Sequence, residues 1–216
     1  MSFRHVLWDL DGTLLDTYPA TDGALAAALT GLGHPVTVAE LVPLTRITLD
    51  HAAAHSAARF GLPVAEVCAA YEREYAVLGL KFSPAMPGAA RAMQAVRDQG
   101  GLNLLATHRD REGALWRLKA AGLDTLLDDL LSVSDGYPRK PDPALFAALL
   151  ARHGLDPAEV LAVGDRDLDI VAGRLAGCQT ALLLTPGATL QTGADRVLRS
   201  LEELAETAAG TARSPG

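Results

Sequence analysis

The stretch "VLWDLDGTLLDT", Val6 to Thr17, places two aspartates at alternate positions directly after an apolar run. That run, "RHVLW", has the unbroken apolar character of a strand that is buried on both faces. Asp9 and Asp11 stand where such a strand should continue. They are therefore either turn residues that end the strand or a pair of catalytic carboxylates. The remainder of the sequence has to distinguish these two interpretations.

Similar short apolar runs recur along the chain, and helical patterns lie between them. The runs are "LNLLA" before Thr107, "VLAV" before Gly164, "ALLL" before Thr185 and the weaker "LLSV" near Ser134. The helical patterns cover 87–101, 111–122 and 142–154, the last with Asp142 as its N-cap. Strands that alternate with helices predict an α/β fold with an open parallel sheet.

The region 16–85 interrupts this alternation with alanine-rich helical patterns and no convincing strand. Three helices are predicted there, over 21–32, 37–60 and 63–80. We therefore predict an inserted α-helical cap domain at 16–85 and a catalytic core formed by 1–15 and 86–209. The last residues, 210–216, are predicted to be a disordered tail.

Composition and charge limit the classes of partner. The chain has 216 residues, of which 49% are hydrophobic and 21% charged, as in a globular protein with a large core. Its net charge of −7 argues against nucleic acid and against anionic membranes, because both require a basic surface. Without a signal peptide or an apolar run of ~18–20 residues, the sequence predicts a cytoplasmic protein.

Polar residues follow the predicted strands at several points of the chain. They are Asp9 and Asp11, Thr107, Lys140 in a later loop, and Asp165 with Asp169. Because the carboxyl ends of parallel strands share one edge, where open α/β folds bind ligands, we expect these residues to meet in one crevice. Carboxylates so close together need a cation, and hard oxygen ligands suit Mg²⁺. With a lysine and a hydroxyl to bind an anion, the set predicts a phosphoryl-transfer site.

The two aspartates of the opening stretch can then have different roles. Asp9 could attack phosphorus and form an aspartyl-phosphate, since an ordinary carboxyl pKa of ~3.9 leaves it ionised at neutral pH. Asp11, in a different environment, could protonate the leaving group and later deprotonate water. This division of labour would explain why the pair is present.

Four motifs resemble those of the haloacid dehalogenase superfamily, and they occur in the same order. "DLDGTLLDT" resembles the first motif, "LLATH" the second, "RKPDP" the third and "VGDRDLD" the fourth. The resemblance extends to about Ala205, and the helical insert is similar to the cap of the phosphoglycolate phosphatase-like branch, which also contains sugar-phosphate phosphatases and mutases. It implies a Rossmann-like core with a helical cap, acting as a Mg²⁺-dependent phosphatase of small phosphate monoesters.

By this resemblance Asp9 is the nucleophile and Asp11 the general acid and base. Lys140 is implied to offset the negative charge on Asp9 and the phosphate. The implied metal residues are Asp9, Asp11 through its backbone carbonyl, Asp165 as a ligand, and Asp169, which would lie just beyond the direct ligands or hold a metal-bound water.

Substrate contacts are predicted at three further residues. By the same resemblance, Thr107 and the backbone N–H of His108 hold the phosphoryl group, although many relatives have Asn at the position of His108. Arg46, in "LTRITLD" of the predicted cap, is a candidate substrate contact. Arg109 and Arg111 could reach a distal anionic group or could simply be solvated.

Two alternative functions stay open at this point. A phosphomutase would use the same residues but return the phosphoryl group to a sugar instead of water. A non-catalytic phosphate-binding or regulatory protein would keep the fold without turnover. The sequence fits either a monomer or a homodimer, and it does not specify the physiological substrate.

Overall fold

The residues described by the computed structural model, 3–79, 83–186 and 193–211, form two compact units. One unit holds 3–15, 85–185 and 193–211, and we call it the sheet unit. The second holds 16–79, 83–84 and Pro186, and we call it the helical unit. The end of the helix predicted over 63–80 and residues 212–216 of the predicted tail lie outside the described residues.

The sheet unit is built on a parallel sheet of six described strands. They are β1 His5–Trp8, β2 Asn103–Ala106, β3 Asp129–Leu131, β4 Val160–Gly164, β5 Gln179–Leu183 and β6 Arg196–Leu198. Their order across the sheet is β3-β2-β1-β4-β5-β6, and all adjacent pairs are parallel. This is the Rossmann strand order. β2 and β3 are added on one side of β1, and the chain then crosses to the other side of β1 for β4, β5 and β6. The α/β fold predicted from the sequence is confirmed.

Helices cover both faces of this sheet. They are α5 Ala89–Asp98, α6 Arg111–Ala120, α7 Ala144–His153, α8 Asp167–Leu175 and α9 Leu201–Thr211. Alternate residues of β1 pack in opposite directions, Val6 and Trp8 into the cluster with α5, α6 and α9, and Leu7 into the cluster with α7 and α8. Both clusters are fully buried apolar layers, which explains why the central strands have no polar alternation.

Most predicted elements of the sheet unit are present, with three differences. The Asp142 carboxylate accepts a hydrogen bond from the Ala144 N–H at 2.9 Å, so it caps α7, although the helix itself begins at Ala144. Strand β6 was not predicted, since it has three residues at the edge of the sheet and exposes Val197. Helix α9 extends to Thr211, so the first residues of the predicted tail are helical.

The helical unit contains four described helices around its own apolar core. They are α1 Tyr18–Gly31, α2 Val38–Thr45, α3 Leu49–Phe60 and α4 Val64–Leu78. The single helix predicted over 37–60 is wrong, because the chain forms α2 and α3 there. Thr48 is extended, and its hydroxyl accepts a hydrogen bond from the His51 N–H at 2.9 Å, which starts a new helix at Leu49.

None of the helices in the described residues is both long enough and apolar enough to cross a membrane.

Candidate active site

The first site residue lies where β1 leaves the sheet. The Asp9 N–H donates to the Val163 carbonyl at 2.9 Å, which continues the pairing of β1 with β4 for one residue. The chain then turns at Gly12, whose φ of 84° is in the left-handed region that favours glycine. Leu10 and Leu14 are buried on either side of the turn. The apolar anchors and the turn hold the Asp9 carboxylate at the carboxyl edge of the sheet, where it is buried.

Lys140 joins two carboxylates from different elements, Asp9 directly after β1 and Asp169 in the first turn of α8. Its ammonium group lies 2.5 Å from the Asp9 Oδ1 and 2.5 Å from the Asp169 Oδ1, and it also donates to the Ala106 carbonyl at 3.1 Å. The side chain of Lys140 is 0% exposed. Because an ammonium group has three donors, these contacts satisfy all of them. The sequence prediction that Lys140 offsets the charge of Asp9 has the geometry it requires.

Three carboxylates meet at this point. Asp9, Asp165 and Asp169 are all buried, and they offer ligand atoms that lie within 4.8 Å of one another. The Thr13 hydroxyl donates to the Asp165 Oδ1 at 3.4 Å. Gly164 is required beside them, because a Cβ on this residue would lie 2.2 Å from the Cβ of Asp169. Asp9 is far from Asp165 and Asp169 in the sequence, and the pairing of β1 with β4 brings it to them.

The electrostatics of the cluster differ from the sequence expectation. Burial, and next the negative charge of Asp169, raise the pKa of Asp9 to about 6, although Lys140 acts against this shift. The ordinary carboxyl pKa expected for Asp9 is therefore wrong. Burial lowers the pKa of Lys140, but the charges of Asp169 and Asp9 outweigh burial and raise it above its ordinary value. Lys140 is thus charged at neutral pH.

The donor set fits a divalent cation. The Asp9 Oδ2 is buried and has no hydrogen-bond partner among the described residues. The three carboxylates carry up to three negative charges, and Lys140 places one positive charge against Asp9 and Asp169. A buried carboxylate oxygen without a partner is costly unless a cation or another donor satisfies it. Hard oxygen donors of this kind suit Mg²⁺.

Thr107 lies at the end of β2, next to β1 in the sheet. Its N–H donates to the Leu131 carbonyl at 3.0 Å, and its hydroxyl oxygen accepts from the Arg109 N–H at 3.1 Å. The hydroxyl proton can still be donated, since a hydroxyl is both donor and acceptor. A buried hydroxyl at this edge of the sheet suits the phosphoryl contact that the resemblance implies.

His108 has a role that the sequence did not reveal. Its Nε2 accepts a hydrogen bond from the backbone N–H of Lys140 at 2.8 Å. Burial, and then the positive charges of Lys140 and Arg166, lower the pKa of His108 to about 4, so the ring is neutral at pH 7. The side chain of His108 thereby supports the loop that carries Lys140. Nothing in the local sequence pattern signals this contact.

Asp11 lies apart from the three clustered carboxylates and pairs with Arg109. The Arg109 Nη2 lies 2.7 Å from the Asp11 Oδ1, and Nε lies 3.2 Å from Oδ2, so the ion pair is bidentate. The two side chains remain 28% and 19% exposed, respectively. The proposed metal contact of Asp11 through its backbone carbonyl stays a prediction.

Arg46 belongs to the helical unit. Its guanidinium group forms an ion pair with Asp22 at 3.0 Å, donates to the Pro186 carbonyl at 3.0 Å and lies 3.6 Å from the centre of the Tyr18 ring. These contacts give Arg46 a packing role within this unit. Its predicted substrate contact stays a prediction.

Comparison with known proteins agrees with this architecture. Residues 3–177 match the haloacid dehalogenase-like hydrolase family. A phosphoglycolate phosphatase from Cupriavidus necator is 31% identical, over 92% of this chain and 90% of that protein. A pyrophosphatase from Halalkalibacterium halodurans is 26% identical, over 99% of this chain and 100% of that protein.

A solved structure extends this similarity to three dimensions. A family hydrolase from Deinococcus radiodurans, crystallised with bound phosphate and sodium, is 27% identical, covers 96% of both chains and gives a TM-score of 0.80. The matched region contains every residue of the carboxylate and lysine cluster. The chain therefore belongs to the haloacid dehalogenase-like hydrolase family, and it is a hydrolase of the phosphoglycolate phosphatase-like branch.

Proposed function

We propose that this protein is a Mg²⁺-dependent phosphatase of small phosphate monoesters that works through an aspartyl-phosphate at Asp9. One observation carries the proposal. Lys140 holds the Asp9 Oδ1, while the Asp9 Oδ2 is buried with no hydrogen-bond partner among the described residues. An oriented carboxylate with one unsatisfied oxygen is suited to attack phosphorus and to share a cation.

The proposed reaction has two steps. Asp9 attacks phosphorus, the bond between phosphorus and the leaving oxygen breaks, and Asp11 gives that oxygen a proton. Water then attacks the phosphorus of the aspartyl-phosphate, Asp11 takes its proton, and inorganic phosphate leaves. Thr107 donates a hydrogen bond to an oxygen of the transferring group, and the positive charge of Lys140, which stays on Asp9, offsets the charge that develops there.

Asp9, Asp165 and Asp169 are the side chains that would hold Mg²⁺. When bound, the cation would neutralise the excess of negative charge and polarise the phosphoryl oxygens. Asp169 is already oriented for this task, because its Oδ1 binds Lys140 at 2.5 Å and its Oδ2 accepts from the Arg166 N–H at 3.3 Å.

The relatives suggest the class of substrate. Those named above act, by their names, on phosphoglycolate and on pyrophosphate, both of which are small and carry two anionic groups. We therefore propose phosphoglycolate or a close analogue as the substrate, with pyrophosphate as the second compound to assay.

The test is phosphate release from a panel of small phosphate esters, with Mg²⁺ and with EDTA. We expect Mg²⁺-dependent release that Asp9→Asn abolishes while its thermal unfolding stays close to that of the wild type. Turnover by Asp9→Asn above a mock-purified blank would refute the assignment of the nucleophile. A reaction that depends on a sugar bisphosphate primer and releases little phosphate would identify a phosphomutase instead.

A further inference from the structure

The ion pair between Asp11 and Arg109 bears directly on substrate choice. It is bidentate, with distances of 2.7 and 3.2 Å, yet both side chains remain open to solutes, at 28% and 19% exposure. Guanidinium groups bind carboxylates and phosphates with the same planar fork. A substrate anion can therefore compete with Asp11 for Arg109 on equal chemical terms.

The position of Arg109 is fixed relative to the phosphoryl-binding residues. Its N–H donates to the Thr107 hydroxyl at 3.1 Å, so the chain between the two residues turns tightly. Asp11 must reach the leaving oxygen to exchange a proton with it. Because Arg109 holds both oxygens of Asp11, its guanidinium group lies one ion pair away from the leaving group.

Arg111, two residues further on, provides a contrast. It donates to the Leu130 carbonyl at 2.9 Å and pairs with Asp135 at 3.0 Å. These contacts tie Arg111 to β3 and the turn that follows it. Of the two arginines after the second motif, Arg109 alone is paired with a residue of the proposed reaction.

We propose that Arg109 is a specificity-determining residue, which exchanges Asp11 for a negatively charged group on the leaving group of the substrate. The inference rests on the proposed phosphatase function. The shared chemistry is a carboxylate or a phosphate close to the ester oxygen. Such a substrate binds Arg109 and frees Asp11 for the leaving oxygen. With a neutral leaving group, Arg109 stays paired with Asp11.

The experiment compares three substrates in the full-length protein with Mg²⁺. Phosphoglycolate has a carboxylate in its leaving group, pyrophosphate has a phosphate there, and 2-hydroxyethyl phosphate is a compound of similar size whose leaving group is neutral. We expect the wild type to favour one of the two substrates with a charged leaving group over 2-hydroxyethyl phosphate by about 10- to 100-fold in kcat/KM, the range of one charged hydrogen-bonded pair. The anionic compound that is favoured identifies the source of the charge.

Arg109→Gln should remove this preference mainly by raising KM for the anionic substrate. Turnover of 2-hydroxyethyl phosphate should become faster, because Asp11 is no longer held by Arg109. Arg111→Gln, which removes the same charge nearby, should keep the wild-type preference. Arg109→Lys keeps the charge without the fork, and it should retain only part of the preference, so it provides a second test if Arg109→Gln unfolds.

Other results would overturn the inference. An equal loss on neutral and anionic substrates in both Arg109 variants, or a wild type that hydrolyses all three compounds alike, contradicts it and leaves the phosphatase function standing. No phosphate release by the wild type from any ester refutes the proposed function itself. The two failures are thus distinguishable in one set of assays.

Discussion

Replacing Lys140 by methionine tests whether the buried ion-pair network holds the site together. The substitution keeps most of the side-chain volume and removes the charge. In the wild type the ammonium group is 0% exposed and lies 2.5 Å from both Asp9 and Asp169. Lys140→Met therefore leaves two carboxylates buried next to each other without their shared counter-ion.

The magnitude follows from that geometry. Breaking a buried ion pair by removing one partner costs about 3–5 kcal/mol, because the remaining charge stays buried. A domain has about 5–15 kcal/mol of stability in total, so the variant should lose roughly a fifth or more of it at pH 8. The loss should shrink at pH 5.5. Lys140 lowers the pKa of Asp9, so without it that pKa rises further above about 6 and protonation relieves the repulsion.

The assay is urea unfolding at pH 8 and pH 5.5 for the wild type, Lys140→Met and Lys119→Met. Lys119 is an exposed residue of α6, and its replacement should change the unfolding free energy by no more than about 0.5 kcal/mol at either pH. Phosphate release by Lys140→Met should fall about 100-fold or more, as for the loss of one preorganised charge in the transition state.

Equal unfolding free energies for the two lysine variants at both pH values would refute the reasoning. A destabilisation of Lys140→Met that is the same at pH 8 and pH 5.5 would also contradict it. The cause would then be lost packing instead of uncompensated charge.

Three further perturbations address other parts of the chain. The pKa of His108 is about 4 in the folded protein, so between pH 6.5 and 4 this side chain takes up a proton in the unfolded state only. As the pH falls through this window, the unfolding free energy of the wild type should therefore decrease by up to about 3 kcal/mol relative to that of His108→Gln. Parallel urea titrations would show no such divergence if the ring were solvated. Gly164→Ala should push Asp169 aside and reduce the rise in thermal unfolding temperature that Mg²⁺ produces. Gly23→Ala, whose added Cβ would have nothing within 4 Å, should keep that rise. An unchanged Mg²⁺ effect in Gly164→Ala would contradict the metal assignment. Arg46→Met should cost about 3 kcal/mol in urea unfolding because Asp22 loses its buried partner, and a change in KM without any loss of stability would instead support the substrate contact.

The sequence was sufficient for the parts of the fold that depend on continuous apolar runs. Strands β1, β2 and β4 are fully buried, so their composition alone identifies them. Strand β6 was missed because three residues at a sheet edge, one of them exposed, carry no periodicity. The division of the predicted helix 37–60 depends on a single capping residue, Thr48, within a sequence that is otherwise favourable for a helix.

The site was predictable to the extent that it follows from strand order. Asp9, Lys140 and Asp169 converge because the segments that carry them follow β1, β3 and β4, whose carboxyl ends lie along one edge of the parallel sheet, as the alternation of elements implies. The contact of His108 with the Lys140 backbone and the pairing of Arg109 with Asp11 depend instead on the paths of loops. No local pattern encodes such contacts between residues far apart in the chain.

The central position of β1 has a consequence for the chain during its synthesis. His5 pairs with Val160, which leaves the ribosome long after the first strand does. The apolar core of the helical unit comes from α1 to α4, all of which leave the ribosome before β4, so this unit can form early, while the apolar strand "HVLW" has to wait for β4. A nascent chain that stops before Asp165 carries the nucleophile without its completed cluster. Truncated translation products of this protein should therefore be inactive and should expose an unpaired apolar strand to chaperones and proteases.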